Sequence, residues 1–508
     1  MIQNLKALVV VLALALLVFR LAKPICLHFM TAQDYERRRN VWLVITTLGF
    51  ISPSFWLYAV FAAPILLWAT NADRNPGALF LLLLYSLPPA SFQIPIAGIN
   101  QLFDLGPHRL LALAVLLPAA LRSRPSNSPA SRGTFDAIYA LLLAYMLLTT
   151  VLFMPYESFT NTLRRAFLFA LDTVLIYHVF RRTEPTRAAV AEPLVMLALA
   201  SALMAPVAVF ESLRGWLLYT GIGHLWGDVN EFAWLMRGDT LRAQVSTGHA
   251  LTLGYVLAMG FGISLYAAKR SPTRSTGWWM AAWIWAGLLA ALSRGPWLTA
   301  FVAMAVFFAL GPRALSTSLK AFVALAALGV VTYLSPFGDE VLAYLPFVGT
   351  VDSQNVTYRQ EIFNTAVVLV QQRPFFGNPF VLNQMEHLRQ GQGIIDLMNA
   401  YVVQALFYGL IGLALCVGCY LLAMWRAGGA WLIAKKCADV ELCLLGACLI
   451  ACMVATLFFA ATAAFGSLIY VFTGLLAVYA QLVPQRAASV GYGAAADANR
   501  ARYGWANG

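Results

Sequence analysis

The chain has 508 residues, is 61% hydrophobic and only 11% charged, and sets 34 Lys+Arg against 22 Asp+Glu for a formal net charge of +12. Soluble domains carry about 25% charged residues, so this composition excludes an aqueous globule and implies a polytopic membrane protein. The basic excess does not imply nucleic acid, because Lys/Arg-rich loops on one membrane face produce it, and neither zinc-finger spacing nor a basic arm is present.

A membrane span takes about 20 apolar residues. Apolar runs fall near 7–22, 42–69, 78–97, 104–121, 135–155, 163–180, 189–212, 247–267, 277–293, 295–311, 317–335, 397–424, 442–464 and 466–483. The expected fold is therefore all-α, a transmembrane helix bundle of about 12–14 spans. The first run is followed by Arg20 and Lys23 and lacks a small-residue cleavage site, which reads as an uncleaved anchor. The run 42–69 is too long for one straight span and contains Ser52-Pro53-Ser54, so a broken or re-entrant pair is expected. No internal repeat is evident.

Short basic loops set orientation. RSRPSNSPASR (122–132), RRTEPTR (181–187), KRSPTR (269–274) and the Arg426/Lys435/Lys436 loop share one parity, which assigns them to the cytoplasm. The segment 213–246, the Arg294 turn and the longest loop, 336–396, then face the opposite compartment. The side of Arg37-Arg38-Arg39 depends on how 42–69 is counted. The tail 485–508, rich in Ala and Gly with scattered Arg, reads as disordered beyond a membrane domain of 1–484. Of seven cysteines, Cys416-x-x-Cys419 has redox-type spacing, but it lies inside LIGLALCVGCYLLAMW and reads as buried apolar thiols.

The outward segments hold the candidate chemistry. MRGDTLRAQVSTGHALTLG (236–254) carries Arg242 and His249 seven apart, and a helix through both would put them on one face. They aim a cation and an imidazole into a cavity, or they are satisfied by headgroups and loop carbonyls. NVTYRQEIFNTAVVLVQQRPFFGNP (355–379) has Ile362, Phe363, Ala366, Val367 and Val370 on one side of an amphipathic helix. Arg359 falls in that helix's expected first turn, where the dipole opposes a cation. It answers a bound anion, or pairs with Glu361 or Asp352. Where the chain re-enters the membrane, 381–413 gathers Glu386, His387, Arg389, Asp396 and Asn399. Asp396 is a candidate base or a helix N-cap. Arginine forks match phosphate oxygens and keep their charge when desolvated. Arg242, Arg294 and Arg359 on one face therefore suggest a lipid-held phosphate. No Asp-x-Asp pair or other metal-type cluster stands out, so arginines are expected to neutralise it.

SRGPW (293–297), the preceding LRAQVSTGHALTLG, and a long loop running through Arg359, RPFFGNP, Asn399-Ala400-Tyr401 and GLIGL resemble the bacterial O-antigen ligase and O-antigen polymerase superfamily. The resemblance covers roughly 235–425, while the N-terminal half contributes only hydropathy. It implies a GT-C-like glycosyltransferase of the bacterial inner membrane, with its active site facing the periplasm. It further implies undecaprenyl-pyrophosphate-linked glycan donors, no metal or other cofactor, and chain-length-regulator and flippase proteins as partners. Carried over by motif, Arg294 and Arg359 match the family's donor-pyrophosphate arginines, with Arg242 as a possible third. The ligase branch places a His before the Asn at the loop's end; this chain has Met398-Asn399. Methionine takes no proton, so Asp396, His387 or His249 would substitute, or no base acts. That departure favours a polysaccharide polymerase over an O-antigen ligase. A transporter or flippase is the rival from another class, although such proteins place ionisable groups mid-membrane and show internal repeats.

Overall fold

Breaks in the apolar runs decide where this chain turns. The computed structural model describes residues 2–94, 101–122, 136–227, 234–271, 274–311, 353–390 and 393–503, and these are almost wholly helical. After α1 (Ile2–Cys26), the run 42–69 is split into α2 (Ala32–Ile51) and α3 (Phe55–Ala72). Pro53 offers no N–H to continue α2, and Ser54 caps α3 by accepting from Leu57 N at 3.3 Å. The expected broken pair is thus a helical hairpin.

The run 78–97 is not a span. Its helix, α4 (Pro76–Leu83), stops before Pro88-Pro89, and the chain goes on as β1 (Phe92–Gln93), paired antiparallel with β2 (Asp104–Leu105). Hydropathy alone could not tell a short buried helix followed by an extended segment from a full span. Two of the next apolar helices contain a π-turn. Thus α5 (Pro107–Leu111) passes through Ala112–Leu116 into α6 (Leu117–Arg122). After α7 (Ala137–Phe153), α8 (Phe159–Phe169) passes through Ala170–Val174 into α9 (Leu175–Arg181).

The long helix α10 (Arg187–Arg214) is buried along most of its length and packs against α1, α4, α12 (Ala250–Arg270) and α13 (Arg274–Ala290). Between α10 and α12 lie α11 (Thr220–Trp226) and a small hairpin, β3 (Met236–Arg237) with β4 (Thr240–Leu241). Small residues let these helices approach closely: a Cβ on Gly260 would sit 2.1 Å from Ser201 Oγ. The order continues with α14 (Arg294–Ala309), α15 (Ser353–Gln372), α16 (Ala400–Lys436), α17 (Val440–Ala460) and α18 (Leu468–Tyr503). Among the described residues, eight helices are long and apolar enough to cross a membrane, with two shorter apolar ones at Gly277–Ala290 and Arg294–Ala309. The protein is a multi-pass helical bundle with fewer long spans than the expected 12–14; the expected span 317–335 lies outside the described residues. The segment from Gln485, expected to be disordered, continues α18 to Tyr503. Its alanines favour helix on propensity, whatever its lack of apolar pattern.

The basic segments around Arg181, Arg187 and Arg270 converge on one end of the bundle, while 123–132 lies outside the described residues. Arg187 pairs with Asp439 and Glu441, Arg270 with Glu441 at 2.5 Å, and Arg181 with Asp136. Arg38 joins the same end. Fully buried, it forks onto Asp73 at 2.7 and 2.8 Å and reaches Glu192 at 2.8 Å. This settles the side of Arg37-Arg38-Arg39, since the α2–α3 hairpin returns both its ends here.

At the far end α16 is interrupted. Gly409 has φ +67°, and the RPFFGNP segment enters the gap: Leu410 N donates to Pro374 O at 2.7 Å, and Asn378 N to Leu406 O at 2.8 Å. A Cβ on Gly409 would lie 2.2 Å from Phe375 O, so only glycine fits. Non-helical backbone is tolerated at such depth only where protein satisfies it, and here the loop does so. The loop is thereby fixed to the helix that carries Asn399 at its start.

Candidate functional site

The far end is organised by an acid in an apolar helix. Glu211, in the last turn of α10, is fully buried. Its carboxylate accepts from Leu218 N at 2.9 Å, Gln244 N at 3.0 Å and Val245 N at 2.9 Å. The strap holds Val245 at φ +49°, a strained value for a β-branched residue. This pins the loop that follows β4 beside the α13–α14 turn.

Arg237 of β3 and Arg242 of that loop grip the turn. Arg237 Nη1 donates to Leu292 O at 2.6 Å, and Arg242 Nη2 donates to Ser293 Oγ at 2.5 Å. Ala243 N donates to Ala290 O at 3.2 Å. Ser293 is the N-cap of α14, yet its hydroxyl serves Arg242 and Ala291 O rather than the helix. Arg294 follows as the first helical residue, half-buried, with the positive end of the α14 dipole beneath it.

The segment from Arg242 to His249 is not helical. It runs through a 3-10 turn, Val245–Thr247, and Gly248 at φ +71°, so the expected single helical face does not exist. His249 instead caps α12: its Nδ1 accepts from Leu251 N at 3.2 Å. That bond assigns the neutral tautomer with the proton on Nε2. His249 therefore offers a ligand a donor N–H, and the lone pair a base needs is already engaged. Although the ring is exposed, desolvation by surrounding protein lowers its pKa below the usual value; Arg242 adds to this and Asp396 opposes it.

The other wall comes from the long loop and α16. Helix α15 begins at Ser353, so Arg359 lies in its second turn, and the first-turn dipole conflict expected from the sequence falls away. Ile362 and Ala366 seat α15 on Val381, Met385, Leu388 and Leu406, leaving Arg359 exposed. Its hydrogen-bond partner among the described residues is Met398 Sδ at 3.2 Å, a weak acceptor. Tyr358 on the same helix clamps the re-entry segment, donating to Leu388 O at 2.9 Å and accepting from Asp396 N at 3.2 Å.

Asp396 is not a helix cap. Asn399 caps α16, accepting from Tyr401 N at 3.0 Å and Val402 N at 3.2 Å. No described residue hydrogen-bonds the Asp396 carboxylate. Burial raises its pKa above the ordinary carboxyl value, against the opposing fields of Arg359 and His249. Arg242, His249, Asp396 and Arg359 are thus electrostatically linked in series, although 117 residues separate the first from the last. Arg294 joins through the backbone. A Cβ on Gly295 would lie 3.2 Å from Thr462 Oγ1, and Ala463 O accepts from Ala400 N at 3.2 Å.

His387 does not join this group. It is exposed on a 3-10 helix, Val381–Leu388, which turns Val381, Met385 and Leu388 inward instead. Its neighbours Glu386 and Arg389 pair with each other at 2.6 Å. Among the described residues no cluster of three or more His, Cys, Asp or Glu could hold a metal ion. Six cysteines, Cys416 and Cys419 included, are buried and free. Sequence reasoning missed Glu211, Ser293 and Tyr358. Glu211 could have been found as an acid within an apolar span; the other two have no sequence signal. In comparisons with known proteins, the chain matches no family model and no curated protein.

Proposed function

We propose that this protein is a polysaccharide polymerase of the GT-C type. In this reading it joins undecaprenyl-pyrophosphate-linked oligosaccharide units at the periplasmic face of the bacterial inner membrane. The observation that carries the reading is the convergence of Arg242, Arg294, His249, Asp396 and Arg359 at the end of the bundle opposite the basic loops. A pyrophosphate at a bilayer surface needs fixed cations that retain charge when water is excluded, and arginines supply them. The donor glycan departs from its pyrophosphate as the acceptor hydroxyl attacks. Arg359 and Arg294 stabilise the charge that grows on the leaving group, and the His249 Nε2–H donates to it. Asp396 takes the acceptor's proton. Met398, in the slot where the ligase branch has a histidine, lies against Arg359 and takes no part in proton transfer.

Because pyrophosphate leaves readily, the base contributes less than the cations. Base catalysis is worth about 10²–10⁴ in rate, and Asp396→Ala is expected at the low end, a slowing of about 10²-fold with polymer still made. The raised Asp396 pKa sets the sign of the pH effect. The acid limb of kcat/KM lies above the ordinary carboxyl range, and it disappears in Asp396→Asn. A limb unchanged in that variant removes Asp396 from the chemistry.

The function itself is tested by sorting membrane glycans by carrier and size, with and without the protein. Single repeat units accumulating on undecaprenyl pyrophosphate without it, and long lipid-linked chains returning with it, are the expected result. Long chains stranded on the lipid carrier would instead mean a ligase, and units trapped on the cytoplasmic side a flippase.

A further inference from the structure

A polar cavity of about 560 Å³ lies away from the arginine cluster, between α7, α8 with its π-turn, α16 and α18. Its mouth is at the far end, beside exposed Asn161 and half-buried Glu157, and its floor holds Asp172 and Tyr470. Asp172 is thirteen residues past the start of α8, about 20 Å of helix rise. Its side chain is nevertheless 43% exposed while paired with Arg109 at 2.9 Å. An ion pair open to hydrocarbon at that depth is costly, so the space in front of it suits a polar occupant. Two π-turns, Ala112–Leu116 and Ala170–Val174, pack side by side here and set Arg109 and Asp172 facing each other. Such turns concentrate at functional sites.

The walls specify the occupant. Arg164 is engaged at each of its three nitrogens, to Leu102 O at 2.8 Å, to Asn161 Oδ1 at 2.8 Å and to Gln101 O. Arg165 pairs with Glu157 and lies 4.0 Å over the Phe153 ring, yet its buried Nε has no partner. The cavity's charges thus nearly balance, which argues against a phosphate and for a hydroxyl-rich, largely neutral ligand. Tyr145, Tyr408 and Phe169 add ring faces suited to the apolar sides of sugar rings. The volume falls within the roughly 300–1,000 Å³ of small-ligand sites. We propose that this cavity binds a carbohydrate chain and seats the acceptor glycan beside the transfer site. The acceptor role rests on the polymerase reading. Tyr408 is nine residues past the Asn399 cap, about 13 Å along α16, so the two sites are neighbours on one helix.

The test uses the full-length chain in detergent and oligosaccharides released by mild acid from the cell's own lipid-linked pool. Binding is followed by saturation-transfer NMR and titration calorimetry. Arg165→Gln removes the unpartnered donor, and Thr149→Phe fills the cavity from a different helix. Both are expected to weaken oligosaccharide binding at least tenfold, whereas Arg359→Ala binds as the wild type does. A wild-type chain that binds no oligosaccharide, or two variants that bind normally, overturns the assignment. Polymer formation is read separately. If long lipid-linked chains form equally with and without the protein while the cavity variants lose binding, the carbohydrate site stands and the polymerase reading falls.

Discussion

Arg359→Ala is expected to abolish polymer while leaving the protein folded. The side chain is exposed, and its hydrogen-bond partner among the described residues is the weak acceptor Met398 Sδ. Truncation at such a position shifts stability by about 0.5 kcal/mol or less. The packing of α15 rests instead on Ile362 and Ala366. The same geometry leaves most of the guanidinium's donors available to an anion, with Asp396 near enough to orient it. Removing one preorganised donor from a charge-stabilising site costs about 10²–10³ in turnover. Polymerisation multiplies that loss, because a chain of many units needs one transfer per unit. Single repeats should dominate and long chains vanish. Arg359→Lys keeps the charge without the fork and should recover only part of the rate. The measurement is the size distribution of lipid-linked glycan, normalised to folded protein in the membrane. Near-normal polymer in Arg359→Ala would sink the assignment of this arginine and, with it, of the site.

What the sequence made legible was the membrane and the residues gathered at the far end of the bundle, and physics explains where that stopped. Hydropathy reports burial, so it located α1, α7, α10, α12 and α17 to within about five residues, and the starts but not the ends of α16 and α18. It also flagged Ser52-Pro53-Ser54, because proline acts on the backbone locally. It failed at 78–97, where the buried apolar side chains belong to a helix of eight residues that stops before Pro88-Pro89, with a short extended segment after them. The candidate residues Arg242, His249, Arg294, Arg359 and Asp396 lie at one end of the bundle, but two were given the wrong local setting. His249 caps a helix rather than sharing a face with Arg242, since Gly248 turns the chain first. Arg359 is a turn deeper in its helix than expected, because α15 starts at Ser353, before the apolar pattern begins. His387 was grouped with Asp396 by nearness in sequence, and the 3-10 helix points it elsewhere. Periodicity cannot report which carbonyl a side chain will find, and so Ser293 and Tyr358 stayed invisible.

Glu211→Ala is expected to be the most destabilising single change at the far end, without removing any group that touches substrate. The carboxylate is fully buried and accepts three backbone N–H groups from two separate segments. Each buried donor left unmade costs about 1–3 kcal/mol, so truncation should cost roughly 3–6 kcal/mol, with local rearrangement or entering water limiting the total. The loss falls first on 234–249, where the strained Val245 has no other reason to keep φ at +49°. Released, the loop would withdraw Arg242 from Ser293 and Arg237 from Leu292, leaving Arg294 without its supporting wall. Glu211→Gln separates charge from hydrogen bonding. Its amide oxygen can still take the Gln244 and Val245 donors and forfeits only Leu218, so it should retain most of the stability. Trypsin supplies a local readout, because Arg242 is a cleavage site within the strapped loop and Arg237 is one in the β3–β4 hairpin that leads into it. In Glu211→Ala both should be cut at protease levels that spare the wild type, with a lower thermal midpoint in detergent and loss of polymer. If cutting and midpoint match the wild type, the loop is held by something other than Glu211, and the acid in α10 needs a different explanation. If Glu211→Gln keeps the loop protected yet loses polymer, the negative charge itself acts on the arginine cluster, and the strap is only part of its role.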